Sequence, residues 1–338
     1  MPVLLAVLAF LAAAEVAVNV LFRPQEGPLA LAAVLEPYML ATGAVAGLLA
    51  ILATLGWGRA GAPIRLVGAV VLVVAIVRLG GEWWSPGVSG AGAGGAGENP
   101  GAVTLTVMSW NLELGSKAAA DSVAGIADAD ADLVALQELT PDVSAAIEAD
   151  PALRRRYPYR ILQPGEGVGG LGLLSRLPLV VGSYSTGPLV LRAGLLLPDG
   201  RTVEVLDVHP YPPRISSLAG FPSGLDVRRR DEELAMIADV VAGLPDPGAA
   251  LVVGDLNTTP FEAGYTALAG PLRDAHAEAG SGTGFTWRPS SLEGLQVGFL
   301  RLDHVLTGSW LQPVSAREDC SIAGDHCRLL VTLEIGGG

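Results

Sequence analysis

Six short stretches of this chain run an apolar segment into a side chain that can hold a cation or move a proton. VMSWN ends in Asn111, LVALQE in Glu138, VEVLDVH in His209, and LVVGDLN in Asp255 and Asn257. RLDHVL carries Asp303 and His304, and AGDHCRLLV opens on Asp325 and His326. A carboxylate beside a core costs several kcal/mol, roughly, unless something compensates it. Carboxylate and amide oxygens are hard donors that suit magnesium or manganese. Imidazoles beside them can donate to a phosphoryl oxygen or transfer a proton. Strand ends in a sandwich can converge on one cleft, so the set points to a metal ion and a phosphoryl substrate.

The elements that must carry these residues start near Val103. VTLTVMSW alternates, AAADSVAGIADADA has helical character, and DLVALQE is a buried strand. LGLLSRLPLVVG, VLRAGLLLP and RTVEVLDVH are further strands, and LDVRRRDEELAMIADVVAGL (225–244) is an amphipathic helix with Val227, Leu234, Ile237 and Val241 on its apolar face. LVVGD, RLDHVL and CRLLVTLEI follow as strands. Strands alternate with helices, but several run consecutively, which implies two packed sheets with helices outside. No internal repeat is evident.

The ordered set WN, QE, a strand-end His, GDLN, RLDHV and GDH resembles the endonuclease/exonuclease/phosphatase superfamily, over about residues 103–335. The resemblance implies an α/β fold, a four-layer sandwich, and metal-dependent phosphoester hydrolysis with Mg2+ or Mn2+. It implies Glu138 as principal metal ligand with Asn111 beside it, and Asp325 completing the set. Asp255 would position or deprotonate the attacking water, Asn257 would orient the phosphate, and His326, held by Asp303, would hydrogen-bond the phosphoryl oxygens. His209 would face the phosphate from the other side as donor or general acid. Two positions depart from the family's habit: Leu256 stands where an aromatic residue is usual, and Gly324 where serine is usual.

Other polar residues have plainer readings. His304 is expected to point away from the site, and His276, in RDAHAEAG, to lie on the surface. Arg228, Arg229 and Arg230 read as a solvated helix face, with room for one to pair across the core. Trp287, in GFTWRP, either lines the cleft or packs. The glycines near Gly165–Gly172 match no dinucleotide fingerprint, because no helix follows them. Cys320 and Cys327 are the only cysteines and bracket SIAGDH. A bridge between them would close a short loop beside the site and require an oxidising compartment; the alternative is a buried core residue on the strand.

Residues 1–85 form a membrane domain of about three transmembrane helices: 1–22, 37–57 and 63–80. A signal peptide is the competing reading of the first segment, but it lacks a basic start and two more apolar segments follow. Glu15 and Glu36 lie in or beside the first two spans; intramembrane carboxylates can be functional, and the plainer reading is interface positions or a kink at Glu36-Pro37. Arginines flank the spans symmetrically, so the positive-inside rule leaves orientation open. Trp83 and Trp84 suit an interfacial belt. A Gly-rich linker occupies 86–102, and the catalytic domain 103–338.

The chain carries 34 acidic against 21 basic side chains and a formal net charge of −13, with one lysine, Lys117. A protein that grips a nucleic-acid backbone shows a basic face, so nucleic acid is disfavoured as a partner. The membrane is the expected partner, a phosphorylated or pyrophosphorylated lipid-like molecule the expected substrate, and a multi-pass cell-membrane location with the catalytic domain outside the cytoplasm the expected setting. The layout of short spans before the domain resembles a membrane-anchored bacterial subgroup that includes VanJ-type teicoplanin-resistance proteins. A nuclease is the alternative activity. A catalytically silent anchored binding domain is disfavoured because every candidate position is filled.

Overall fold

The computed structural model describes residues 1–83, 103–115, 118–186, 189–322 and 324–336. The linker expected at 86–102, Trp84 and Lys117 lie outside the described residues. The chain forms two compact units: Met1–Trp84 with Pro212–Asp231 and Thr259–Thr266, and the remainder of 85–338.

In the first unit, α1 (Pro2–Phe22), α2 (Gly27–Val34), α3 (Glu36–Ala53) and α4 (Ala62–Trp83) follow one another. α1, α3 and the stretch ending in α4 are long and apolar enough to cross a membrane, with hydropathies of 2.4, 1.5 and 2.3. The short helix α2 is additional to the expected spans. Pro37 falls in the first turn of α3, where its missing N–H has no intrahelical partner to lose. α3 and α4 approach closely through glycine, since a Cβ on Gly68 would lie 2.6 Å from the Gly47 carbonyl oxygen. Glu36 opens α3 and its carboxylate has partners within the unit. It is fully buried, accepting from Asn19 Nδ2 at 2.6 Å and from Arg78 Nε at 2.8 Å. Asn19 also donates to the Phe261 carbonyl at 2.9 Å, and the Arg78 guanidinium lies 5.4 Å from the Phe261 ring centre.

The strands, in chain order, are β1 (Val103–Asn111), β2 (Leu133–Gln137), β3 (Tyr159–Gln163), β4 (Leu171–Ser175), β5 (Leu179–Thr186), β6 (Leu189–Leu196) and β7 (Thr202–Val208). They continue with β8 (Arg214–Leu218), β9 (Phe221–Asp226), β10 (Ala250–Asp255), β11 (Arg273–Asp274), β12 (Asp303–Thr307), β13 (Leu311–Asp319) and β14 (Arg328–Ile335). Among the described residues, two mixed six-stranded sheets form, in the orders β13-β14-β1-β2-β4-β3 and β11-β12-β10-β7-β6-β5. β8 and β9 make a separate ribbon in the first unit.

Period-two alternation builds the layers. Leu105 and Val107 of β1, Leu133 and Ala135 of β2, Val203 and Val205 of β7, Leu251 and Val253 of β10, and Val305 of β12 fill one shared core. The intervening residues Met108, Trp110, Val134 and Leu136 face a second core, closed by α5 (Ala119–Asp128), α6 (Pro141–Ala149) and α7 (Pro151–Arg156) through Ile126, Val143, Ile147 and Leu153. α8 (Arg228–Ala242) buries Leu234, Ile237 and Val241. It starts three residues later than expected from the sequence, because Leu225 and Asp226 pair in β9 and the Asp226 carboxylate accepts the Arg228 N–H at 3.2 Å.

One surface assignment is corrected. His276 is only 4% exposed, because the helical turn after Asp274 folds it inward; burial pushes its pKa down to about 4. In the arginine run Arg228 and Arg229 are exposed and Arg230 is the one that pairs inward, 1% exposed with Glu262 and Asp231 each at 2.7 Å.

Candidate active site

The same alternation that builds the core delivers the polar residues. Asn111 continues the inward parity of Leu105 and Val107, Asp255 that of Leu251 and Val253, and Asp303 that of Val305. β1 and β2 run parallel with Asn111 opposite Gln137, β7 and β10 run parallel with Val208 opposite Gly254, and β12 runs antiparallel with Asp303 opposite Asp255. β14 runs antiparallel to β1. His326, just before β14, therefore reaches the same sheet edge.

Glu138 follows β2 with a φ of 55°, and Asn257 follows β10 with a φ of 51°. Left-handed backbone at non-glycine residues is uncommon and concentrates at functional sites. Gly254 is required where it stands: a Cβ there would lie 2.0 Å from the Val208 carbonyl oxygen.

The structure brings Asn111, Glu138, His209, Asp255, Asp303 and His326 together. Asn111 Nδ2 donates to Glu138 Oε1 at 3.3 Å and Asp255 Oδ2 at 3.0 Å, while its Oδ1 accepts from the Glu113 N–H at 2.9 Å. In this orientation Asn111 bridges the two carboxylates as a donor; offering its oxygen to a cation requires the amide to turn over. Asn257 N–H donates to Asp255 Oδ1 at 2.8 Å, and its side-chain amide donates to the Pro210 carbonyl at 3.0 Å. Asp325 is placed beside His326, with its N–H on Glu113 Oε2 at 3.3 Å. His304 points elsewhere, as expected, with Nε2 2.9 Å from the Thr258 carbonyl. Trp287 pairs its backbone with His326.

The two histidines are electrostatically opposite. His326 Nδ1 donates to Asp303 Oδ2 at 2.8 Å, and its Nε2 lies 3.5 Å from Asp255 Oδ2. Burial alone would lower its pKa, but the charges of Asp303 and Asp255 outweigh that and push it up to about 10. It is an imidazolium at neutral pH. In return His326 outweighs burial at Asp303 and holds that carboxyl below its ordinary value. His209 instead is lowered by burial, despite the Glu138 charge. Its Nδ1 lies 3.0 Å from the Val168 carbonyl, which fixes the proton there when the ring is neutral. A neutral His209 presents a lone pair at Nε2, so the proton-donor role expected of it fits His326 better. Burial raises Asp255 to about 6, and burial also raises Glu138.

Fit to a divalent cation can be judged from one gap. His209 Nε2 is buried without a hydrogen-bond partner, 3.8 Å from Glu138 Oε1 and 3.6 Å from Asp255 Oδ2. A buried carboxylate, Asp255, and a partly buried one, Glu138, facing a lone pair call for positive charge, and their oxygens are the donors magnesium or manganese takes. Among the described residues no group of three His, Cys, Asp or Glu side chains already forms a cation cage. The donor types are those a divalent cation takes, although as placed they do not form such a group.

Three features went unnoticed in the sequence. Gln137 Nε2 donates to Asp207 Oδ1 at 2.6 Å, tying β2 to β7 across the two sheets directly beneath the site, and Ser109 Oγ donates to Gln137 Oε1 at 3.3 Å. Parity was the available signal, since Ser109, Gln137 and Asp207 share the inward face. Thr286 Oγ1 accepts from the Asp303 N–H at 3.0 Å. Arg288, fully buried, donates from Nε to the Gly324 carbonyl at 2.9 Å and from Nη2 to the Ile322 carbonyl at 3.1 Å. It lies in a loop without periodicity and gave no signal. Cys320 and Cys327 are joined by a disulfide, so the segment carrying Asp325 and His326 is tied at both ends.

A two-sheet sandwich with acids, amides and imidazoles gathered at one strand-end edge is the architecture of a phosphoesterase fold. The chain belongs to the Endonuclease/Exonuclease/phosphatase family, whose profile matches residues 108–326. Among solved structures it resembles TDP2 from C. elegans (17% identity, 93% of this chain and 97% of that chain, TM-score 0.52). It also resembles the 3' phosphatase NExo from Neisseria bound to a product DNA hairpin (16% identity, 69% and 100%, TM-score 0.52) and an AP endonuclease from Archaeoglobus fulgidus (14% identity, 67% and 98%, TM-score 0.51). At these identities the likeness is one of fold. No curated protein matches the chain.

Proposed function

We propose that the chain is a membrane-anchored, divalent-metal-dependent phosphoesterase that hydrolyses a phosphate ester or pyrophosphate carried by a lipid-like molecule at the outer membrane surface. The observation that carries this reading is the company kept by one loop. Thr259–Thr266 begins two residues after Asn257, yet it folds in one unit with three helices apolar enough to span a membrane. The strand that ends in Asp255 thus leads straight into the membrane-type unit. The layout resembles that of the VanJ-type subgroup, and the bridge between Cys320 and Cys327 supports an oxidising, extracytoplasmic compartment.

Glu138, with Asn111 and Asp325, would hold the cation, which when bound supplies positive charge against the phosphoryl oxygens. The chain's own groups supply the rest. Asp255, with a pKa of about 6, is mostly ionised at neutral pH and takes the proton of the attacking water. The water oxygen bonds to phosphorus as the bond to the leaving oxygen breaks. The His326 imidazolium donates to the phosphoryl group and can return a proton to the leaving oxygen, with Asp303 holding its ring. Asn257 orients the phosphate, and neutral His209 accepts a hydrogen bond beside it.

The deciding experiment offers detergent-solubilised full-length protein a polyprenyl pyrophosphate in mixed micelles and, separately, plasmid DNA, each with magnesium. Phosphate release from the lipid is expected. Efficient DNA cleavage at physiological salt with no lipid phosphate released would replace this reading with the nuclease one.

A further inference from the structure

The ribbon β8–β9 has a surface that water does not explain. β8 is exposed along its whole length. Ile215 is 64% exposed, and the tip pair Leu218 and Phe221, opposite each other in the register, are 73% and 75% exposed. Ala219 and Gly220 turn between them with positive φ values of 52° and 85°. A two-stranded ribbon is marginal in water even with its apolar side chains covered. This one leaves its largest uncovered.

Its base shows where it is held. Asp226 and Leu225 bridge to Glu26 and Gly27, the Val227 N–H donates to the Gln25 carbonyl at 2.9 Å, and Arg228 pairs with Glu26 at 3.2 Å. β9 lies so close to this loop that a Cβ on Gly224 would meet the Gly27 carbonyl carbon at 2.9 Å. The loop 23–26 joins α1 to α2, immediately after α1 ends at Phe22. In a chain whose α1 spans a bilayer, that loop is at the headgroup level. The tip lies about five residues, or roughly 16 Å of strand, from the base.

We infer that the β8–β9 ribbon is a lipid-contacting element, with Leu218 and Phe221 seated at the headgroup–acyl boundary. This rests on the membrane-anchored reading of α1, α3 and α4. The partner is the bilayer because the ribbon's base is continuous with the end of a span, and because apolar and aromatic side chains partition to that boundary.

The test uses the full-length protein in phosphatidylcholine–phosphatidylglycerol vesicles. The two native cysteines are joined, so Leu218→Cys introduces the only free thiol for a fluorescent label. Val73→Cys, on the exposed face of α4, and Ala149→Cys, on exposed α6, serve as references. All three substitutions are at exposed positions, where folding tolerates change. The label at 218 is expected to follow the one at 73, with quenching by acyl-chain nitroxide at least about fivefold above position 149 and weak quenching by aqueous iodide. A label at 218 that follows position 149 overturns the inference. A label at 218 shielded from both quenchers overturns it too, and assigns the ribbon to a second copy of the chain. If position 73 also behaves like 149, the membrane reading itself fails. Lipid quenching at 73 with iodide quenching at 218 refutes the ribbon's role alone.

Discussion

Replacing Arg288 with alanine should disable the site without touching a residue that meets the substrate. Arg288 holds the segment 322–327 from within: its guanidinium donates to the Ile322 and Gly324 carbonyls and reaches Cys327 Sγ at 3.7 Å, while its backbone N–H donates to the Asp325 carbonyl at 2.9 Å. The backbone bond survives truncation, and the side-chain ones do not. Two hydrogen bonds from a charged donor to buried carbonyls are worth about 1.5–3 kcal/mol each. Water entering the vacated space recovers part of that, which leaves a loss of about 3 kcal/mol. For a domain of this size that corresponds to a melting point lower by roughly 6–12 °C. The disulfide still ties the segment's ends, so the fold should persist while His326 drifts from Asp303 and Asp255. A misplacement of about 1 Å in such a constellation can cost roughly 10²-fold in rate. The assay pairs thermal unfolding of the solubilised full-length variant with initial rates on the phosphoester. Arg288→Lys, which keeps the charge but can reach fewer acceptors, should fall between. If Arg288→Ala melts and turns over like the parent, Arg288 does not hold the loop and the clamp is refuted.

The remaining expectations are brief. Asp255→Ala and His326→Ala should each lower turnover by ~10²–10⁴ with the circular dichroism unchanged; chelation by EDTA should stop turnover and magnesium or manganese restore it, and metal-independent turnover would count against Glu138 as a ligand. His276 has a pKa of about 4 in the folded protein, so between pH 6.5 and 4 the unfolded chain binds the extra proton and stability falls as pH falls. His276→Gln should remove about 3 kcal/mol of that slope, read as flatter urea midpoints across this window. Glu36→Ala leaves Arg78 and Asn19 without their shared buried acceptor, and a loss of about 3–5 kcal/mol should appear as a lower melting point in detergent.

Much of the site was legible because β-strand alternation is a strong code. Once Leu251 and Val253 are assigned to the core, Asp255 must face the same way, and the same holds for Val305 and Asp303. The apolar spans were equally plain, since a run such as 37–57 without charge has few alternatives in folded chains. What escaped was held by contacts rather than by periodicity. Arg288 sits in an irregular loop whose partners are carbonyl groups, which no side-chain pattern announces. His276 looked solvated because its neighbours are polar, but burial there depends on the turn capped by Asp274. β8–β9 was missed for another reason: RISSL and FPSGLD carry serine, glycine and proline in place of a buried stripe, and of their apolar residues Ile215, Leu218 and Phe221 are exposed while Leu225 is buried.

The placement of charge bears on which phosphoryl compound the site suits. One basic group, Arg154, Arg155 and Arg156 with Arg160 and Arg176, lies toward the start of β2 and the end of β4, since Ser175 pairs with both Leu133 and Tyr159. Glu138 lies at the other end of β2, about 16 Å away along the strand. Several of those arginines are already matched to acids: Arg176 to Asp130 and Asp132, and Arg160 to Glu148. A nucleic-acid strand gripped at the site needs cations on both sides of the reacting phosphate, and its affinity scales with the number of phosphates neutralised. Among the described residues, the basic side chains ranged against Asp255 are the imidazoles of His326 at 3.5 Å and His209 at 3.6 Å. Under the function proposed above, that arrangement would serve a substrate with one or two phosphoryl groups. Binding energy for such a small head group has to come from elsewhere, and a lipid tail confined to the same membrane as α1, α3 and α4 would supply it through local concentration, without a further contact at the site.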